Sequence, residues 1–223
     1  MAPKRVKTTS EEPLNKTQIL RAAILLVDEE GVDGLSMRKL SQKMGVGTMS
    51  LYNHVANKHE ILTGVLGMVL EEIEAPTPTA DWKSAIRVRA ISARNTFLAH
   101  PWAVNLLDGR YPSPLVMAYH NTNLGSFRKA GFSPVNTVHA NTVFEAFVYG
   151  SALQAVSRKD LPSERFSQVA KTMLENIPAK AFPFIVETLQ EVISQEGYSY
   201  EEEFLFSLDM ILLSMEPLRE SPK

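Results

Sequence analysis

The sequence predicts an all-α protein with an N-terminal three-helix head of the helix-turn-helix type and a larger helical-bundle body. Three observations carry this reading. Apolar residues recur at helical spacing along most of the 223-residue chain, without sustained apolar-polar alternation or a hairpin dipeptide between two such runs. Helix starts are marked by capping residues at Asn15, Ser36, Asp81, Ser113 and Ser133, the last two followed by Pro114 and Pro134 in the first turn. Between Ser36 and Lys58, two short helical patterns flank a Gly45-Val46-Gly47 turn and leave a polar, donor-rich face uncovered.

Residues 1–13 form a polar leader, expected to be disordered when free. Its Lys4, Arg5 and Lys7 either lie along nucleic-acid phosphates or only aid solubility. The head spans residues 14–60. Its first helix opens at Asn15, with Gln18 as capping-box partner and Leu14 and Ile19 as a hydrophobic staple. Leu20, Ala23, Ile24 and Val27 form the core stripe, and Gly31 ends the helix before the linker Val32-Asp33-Gly34-Leu35. In the second helix Met37, Leu40 and Met44 share one side. In the third, Leu51 and Val55 turn inward, whereas Thr48, Met49, Ser50, Tyr52, Asn53 and His54 have no core to enter. A helix presented this way enters the major groove of DNA.

Residues 61–223 form the body, beginning with a connecting helix over 61–74 that carries Ile61, Leu62, Val65, Leu66, Val69, Leu70 and Ile73. Ala75-Pro76-Thr77-Pro78-Thr79 breaks it. Helices follow from Asp81 to about His100, where Pro101 interrupts; a short segment, Ala103 to Leu107, and the loop Asp108-Gly109-Arg110-Tyr111-Pro112 come next, and helices resume over Ser113 to about Gly131, Ser133 to about Ser157, Ser163 to about Ile177, Phe184 to Ser194 and about Tyr200 to Met215. The last carries Phe204, Leu208, Ile211, Leu212 and Met215 on one face with Leu205, Phe206, Met210 and Leu213 beside it, too apolar for a surface helix. Together with the 133–157 helix and its Val143, Phe144, Phe147, Leu153 and Val156, it is expected to form a homodimer interface of helix-bundle type.

Composition excludes several classes. Without cysteine there are no disulfides, thiolate metal sites or cysteine nucleophiles. No apolar run reaches membrane-spanning length and the N-terminus lacks a signal-peptide core, so no membrane association and a cytoplasmic location are expected. The net charge is −2, divided as nine Lys or Arg against seven Asp or Glu through residue 60 and fourteen against eighteen beyond it. Nucleic-acid contact is therefore expected from the first part of the chain.

Catalysis finds little support. Ser, His and Asp occur without a nucleophile elbow, and the acid pairs Glu71-Glu72 and Glu201-Glu202-Glu203 read as solvated helix faces. His100, His120 and His139 match no metal-ligand spacing and read as structural or pocket-lining, so no catalytic residue, metal or cofactor is expected. On the helix opened by Ser113, His120, Asn123 and Phe127 share one face; on the next, Asn141 and Glu145 are four apart among aromatics, and Arg89 can face the same space. Polar groups converging inside an apolar bundle suit an effector pocket or, equally, a buried hydrogen-bond network or an exposed position. Met117 and Phe144 read as plain packing.

Over Leu14 to Leu62 the chain resembles the tetracycline-repressor (TetR) family of one-component regulators. The marks are Val32-Asp33-Gly34-Leu35, Arg38-Lys39-Leu40, Gly45-Val46, Leu51-Tyr52-Asn53-His54-Val55 and Asn57-Lys58. Weaker similarity to the tetracycline-type subgroup continues through Trp82, the run Arg128-Lys129-Ala130-Gly131-Phe132-Ser133, and Gly150. The resemblance implies that Arg38 reaches a base or phosphate, that Thr48, Met49, Ser50 and Asn53 face bases, and that Tyr52, His54 and Lys58 contact phosphates or position the helix; Gly47 completes the set. Tyr52 alternatively braces the turn as a half-buried ring. Asn53 departs from the large aromatic of the tetracycline repressors, so their operator sequence does not carry over. The slots that hold chelated magnesium in those repressors align with Leu107, Arg110 and Gln154, which are poor ligands for a hard cation.

The expected function is a ligand-responsive transcriptional regulator, a repressor that binds a palindromic DNA operator as a homodimer and is released by a small-molecule effector. The alternative is a helical ligand- or protein-binding module that does not read DNA sequence.

Overall fold

The computed structural model describes residues 13–76, 81–107, 112–157, 163–195 and 197–220, and among these every regular element is a helix. They fall into two compact units, one ending at Leu66 and the other beginning at Gly67. The basic leader and residues 108–111, including Arg110, lie outside the described residues.

In the first unit, α1 (Lys16–Gly34) starts at a complete capping box: Gln18 N–H donates to Asn15 Oδ1 at 2.9 Å and Asn15 N–H donates to Gln18 Oε1 at 3.1 Å. Gly31, with non-helical backbone, ends the first helical run as expected. Its φ of 74° kinks the chain, and one further turn runs to Gly34 before Leu35. Ser36 caps α2 (Met37–Met44), which Gly45 closes in the left-handed conformation. The third helix, α3 (Thr48–Tyr52), is shorter than its apolar spacing suggests, so Val55 is buried from the turn beyond it. Ile19, Ala23, Leu40, Leu51, Ile61 and Val65 have no exposed surface and form the core. Met37, Met44 and Ile24 are only half-buried, because the centre of α2 is held by Leu40 and by the Ser41 hydroxyl instead.

The next helix, α4 (Lys58–Glu71), stops three residues short of Glu74. Asn57 Oδ1 accepts from Glu60 N–H at 2.9 Å, while Glu60 Oε2 accepts from Ala56 N–H at 2.7 Å and Oε1 meets Lys16 Nζ at 2.5 Å. The Ala56 N–H, and then Lys16, hold the Glu60 carboxyl below the ordinary carboxylate range. A carboxyl depressed in the folded state stabilises fully above its unfolded pKa and loses that contribution as pH falls through the folded one. Glu60→Gln is thus expected to lower the melting temperature at pH 7, with the gap to wild type closing as pH drops below about 4, as thermal melts across pH will show.

In the second unit, α5 (Trp82–Ala99) packs chiefly against α8 (Pro134–Val156), with α7 (Pro114–Lys129) beside both. Asp81, Ser113 and Ser133 cap these helices. Small buried residues, Ala90 and Ala93 on α5 and Ala140 and Ala152 on α8, leave room for Phe97, Phe127, Phe132 and Phe144. At Gly67 an added Cβ would lie 2.7 Å from Leu115 Cδ1 and 2.9 Å from its Cβ, so glycine permits α4 to approach α7 closely. After the short α6 (Trp102–Leu106), α9 (Ser163–Asn176) packs on a segment in which α10 (Pro183–Thr188) runs into a π-helical turn, Leu189–Ile193. The last long helix, α11 (Tyr200–Ser214), is tied to α5 by Arg87–Asp209 at 2.8 Å and by Arg94–Glu201. An additional short helix, α12 (Glu216–Glu220), follows. Among the described residues, no helix is long and apolar enough to cross a membrane.

One packing expectation, Met117, and one interface assignment, Phe144, are corrected, while the reading of Phe144 as plain packing holds. Met117 is exposed, since it lies on the face of α7 turned away from Val116 and Tyr119. Phe144 is core rather than interface, and Phe147 stacks on Phe204 with centroids 5.3 Å apart. The apolar side chains that remain exposed on α8 and α11 are Val135, Val138, Val143 and Leu153, and Phe206, Met210 and Leu213.

Candidate functional site

The head presents α3 from a buried scaffold. Leu51 and Val55 hold it from below, and a hydroxyl pair fixes its start: Ser41 Oγ lies 2.9 Å from Thr48 Oγ1 and donates to the Arg38 carbonyl at 2.8 Å. Ser41 has one hydroxyl hydrogen, so Thr48 must donate to it. Thr48 therefore spends its donor on the junction of α2 and α3, leaving lone pairs and a methyl group for any outside partner. Ser41 carries this junction, a role that no motif in the sequence marks.

Around that scaffold Arg38, Met49, Tyr52, Asn53 and His54 are exposed, Met49 to 75%; Ser50 and Lys58 are half-buried, and Gly47 is exposed where α3 begins. Tyr52 is 47% exposed, so its ring both packs and reaches solvent. Lys39 pairs with Glu30, and Lys43 with Glu29 at 2.6 Å, which turns two of the four cations of this region back onto α1. Among the described residues no ion pair engages Arg38 or Lys58. An exposed methionine between hydroxyl, amide and cationic groups is a poor solvent surface but a good match to a groove edge with thymine methyls and phosphates.

The body holds a second polar cluster. Arg89 on α5 is 3% exposed and donates from Nε to Asn123 Oδ1 at 2.6 Å. Asn123 Nδ2 donates to Glu145 Oε1 at 3.2 Å, and His120 Nδ1 meets the same oxygen at 3.2 Å. The hydroxyls of Tyr119 and Tyr149 are 3.1 Å apart, and the Arg89 guanidinium sits 5.3 Å over the Tyr119 ring. Burial pushes the Glu145 carboxyl up, but hydrogen bonds from His120 and Asn123 outweigh it and favour the carboxylate. Burial also raises both tyrosines, keeping their hydroxyls protonated, and lowers Arg89. Asn141 Oδ1 is buried without a hydrogen-bond partner.

Four of the expected effector residues, Arg89, Asn123, Glu145 and His120, thus form one connected chain, with Asn141 beside it on α8. Phe127 stands apart, with no exposed surface and its ring centroid 5.5 Å from Phe132 and 6.0 Å from Phe144, edge to face. Tyr119 and Tyr149 were missed by the sequence reading, although Tyr149 lies four residues from Glu145 and so on its face of α8. Of the magnesium slots, Leu107 is half-buried and Gln154 exposed, and neither pairs with a carboxylate or imidazole.

Residues 75–218 match the family described as tetracyclin repressor-like, C-terminal domain. The chain is 28% identical over 214 residues to the HTH-type transcriptional repressor DrrR1 of Streptomyces coeruleorubidus, covering 92% of this chain and 78% of that protein. It is likewise 28% identical over 206 residues to the class D tetracycline repressor of Escherichia coli, covering 91% and 89%. Among solved structures, ActR of Streptomyces coelicolor in complex with actinorhodin superposes with a TM-score of 0.75 at 28% identity, over 94% of this chain and all of that one.

Proposed function

The chain belongs to the tetracyclin repressor-like family, and from that premise we propose that it is a one-component, ligand-responsive transcriptional repressor that binds a palindromic operator as a homodimer. It is not an enzyme in this reading, and it is read as working in the cytoplasm. The observation that carries the proposal is the exposed face of α2 and α3, where Arg38, Met49, Tyr52, Asn53 and His54 project from a fully buried scaffold. Arg38 supplies a charge that no acidic side chain among the described residues takes up, and Asn53 offers the amide geometry that pairs with adenine. Gly47, Thr48, Ser50 and Lys58 frame that face, with Lys58 and Tyr52 directed to phosphates.

Release is proposed to follow binding of a small organic molecule at Arg89, His120, Asn123, Asn141 and Glu145, with Phe127 as core behind it. ActR has been crystallised with actinorhodin and with (S)-DNPA, which supports an organic effector in this fold. Leu107 has no lone pair to offer, so the effector is read as binding without the chelated magnesium of the tetracycline repressors.

The test is fluorescence anisotropy on a duplex selected by the wild-type chain from a random-sequence library. Arg38→Ala is expected to weaken binding by about 1–3 kcal/mol and to relax preference at one base position. Tyr52→Phe, which keeps the ring and removes the phosphate partner, should weaken all sequences alike by about 1 kcal/mol. Unchanged affinity and salt dependence in both variants would place the DNA contact elsewhere.

A further inference from the structure

One side chain ties the effector cluster to the end of α4. Arg89 donates from Nε to Asn123 Oδ1 at 2.6 Å and from Nη1 to the Glu74 carbonyl at 2.8 Å. The Glu74 N–H donates in turn to Ser92 Oγ at 2.9 Å, three residues along α5 from Arg89. Glu74, three residues past the end of α4, is therefore gripped by α5 at both its N–H and its carbonyl.

We propose that Arg89 is the coupling residue of the switch: it reports the state of the Asn123–Glu145 cluster to α4 by holding or releasing the Glu74 carbonyl. This rests on the reading of that cluster as the effector site. The guanidinium is a rigid plane, so its Nε and Nη1 donors cannot be re-aimed independently. A ligand group that takes Asn123 Oδ1, or swings Asn123 away, removes the Nε acceptor. The buried cation must then turn toward another acceptor, since an unpaired buried charge is costly. The Glu145 carboxylate already gathers His120 and Asn123 and is the acceptor at hand. Turning the plane toward it withdraws Nη1 from Glu74. α4 begins at Lys58 in the first compact unit, so a shift at its far end is passed along a continuous helix to residues that frame the DNA-facing surface. Two arrangements of one guanidinium thus supply the bistable element that a switch requires.

The test uses the full chain and the duplex it selects from a random library, with no effector present. Asn123→Leu, which removes the Nε acceptor, is expected to weaken operator binding about tenfold and to speed amide exchange over residues 72–76. In an Arg89→Lys background the same substitution should add less than about twofold. Ser92→Ala, at a half-buried position, should speed the same exchange without changing the melting temperature. If Arg89→Lys does not fold, the Asn123→Leu and Ser92→Ala pair decides, with non-additive effects expected because both act through Glu74. Equal effects of Asn123→Leu with and without Arg89, additive effects in the second pair, or unchanged exchange over 72–76 overturn the proposal. A library yielding no preferred sequence removes the regulator reading itself and this inference with it.

Discussion

Leu213→Asp is expected to split the protein into monomers and to abolish operator binding at concentrations where the wild type saturates. Leu213 is 60% exposed, and Met210 and Phe206 precede it by three and seven residues, forming one apolar stripe on α11. Val135, Val138, Val143 and Leu153 are similarly exposed on α8. Two long helices offering apolar stripes bury them most economically against a second copy in a four-helix arrangement. A two-fold interface places each substitution twice, so one aspartate per chain introduces two unpaired charges into the desolvated centre. Each costs about 3–5 kcal/mol when left unpaired, enough to move a nanomolar dimer into the millimolar range. The folded monomer should hardly notice, because an exposed substitution away from special features stays within about 0.5 kcal/mol. Sedimentation or mass photometry reads the assembly, and anisotropy reads the operator. A variant that remains dimeric at micromolar concentration with its operator affinity intact would rule this interface out.

Phe127→Ala is expected to lower stability by about 3–5 kcal/mol, a large share of the roughly 5–15 kcal/mol that holds a domain together. The ring has no exposed surface and meets Phe132 and Phe144 edge to face, with Trp82 against Phe132 at 5.2 Å beyond them. Truncation leaves a cavity that neighbouring aromatics on two separate helices and a turn cannot jointly collapse to fill. Denaturant titration measures the loss. Phe127→Leu, which restores most of the volume, should recover more than half of it. A drop in effector response at unchanged stability would instead return Phe127 to the ligand-contacting set, to which its place seven residues after His120 and four after Asn123 on one helix face assigns it.

What the sequence by itself determined is local. Capping residues act within three or four positions, so Asn15, Ser36, Asp81, Ser113 and Ser133 announced their helices, and each cap is present in the structure. Helical periodicity likewise showed which residues share a face, placing His120 with Asn123 and Asn141 with Glu145. Periodicity cannot say what lies opposite a face, because that depends on where a distant helix packs. Only the tertiary structure decided that Lys39 and Lys43 turn back onto Glu30 and Glu29, that Thr48 spends its hydrogen on Ser41, and that Met117 meets solvent while Phe144 does not. It alone set Arg89 between Asn123, thirty-four residues away in the chain, and the carbonyl of Glu74, fifteen residues before it. A side chain's type and phase are properties of its own helix. Its hydrogen-bond partner is a property of the packing of several, and in this protein that packing joins the polar cluster around Asn123 to the segment that follows α4.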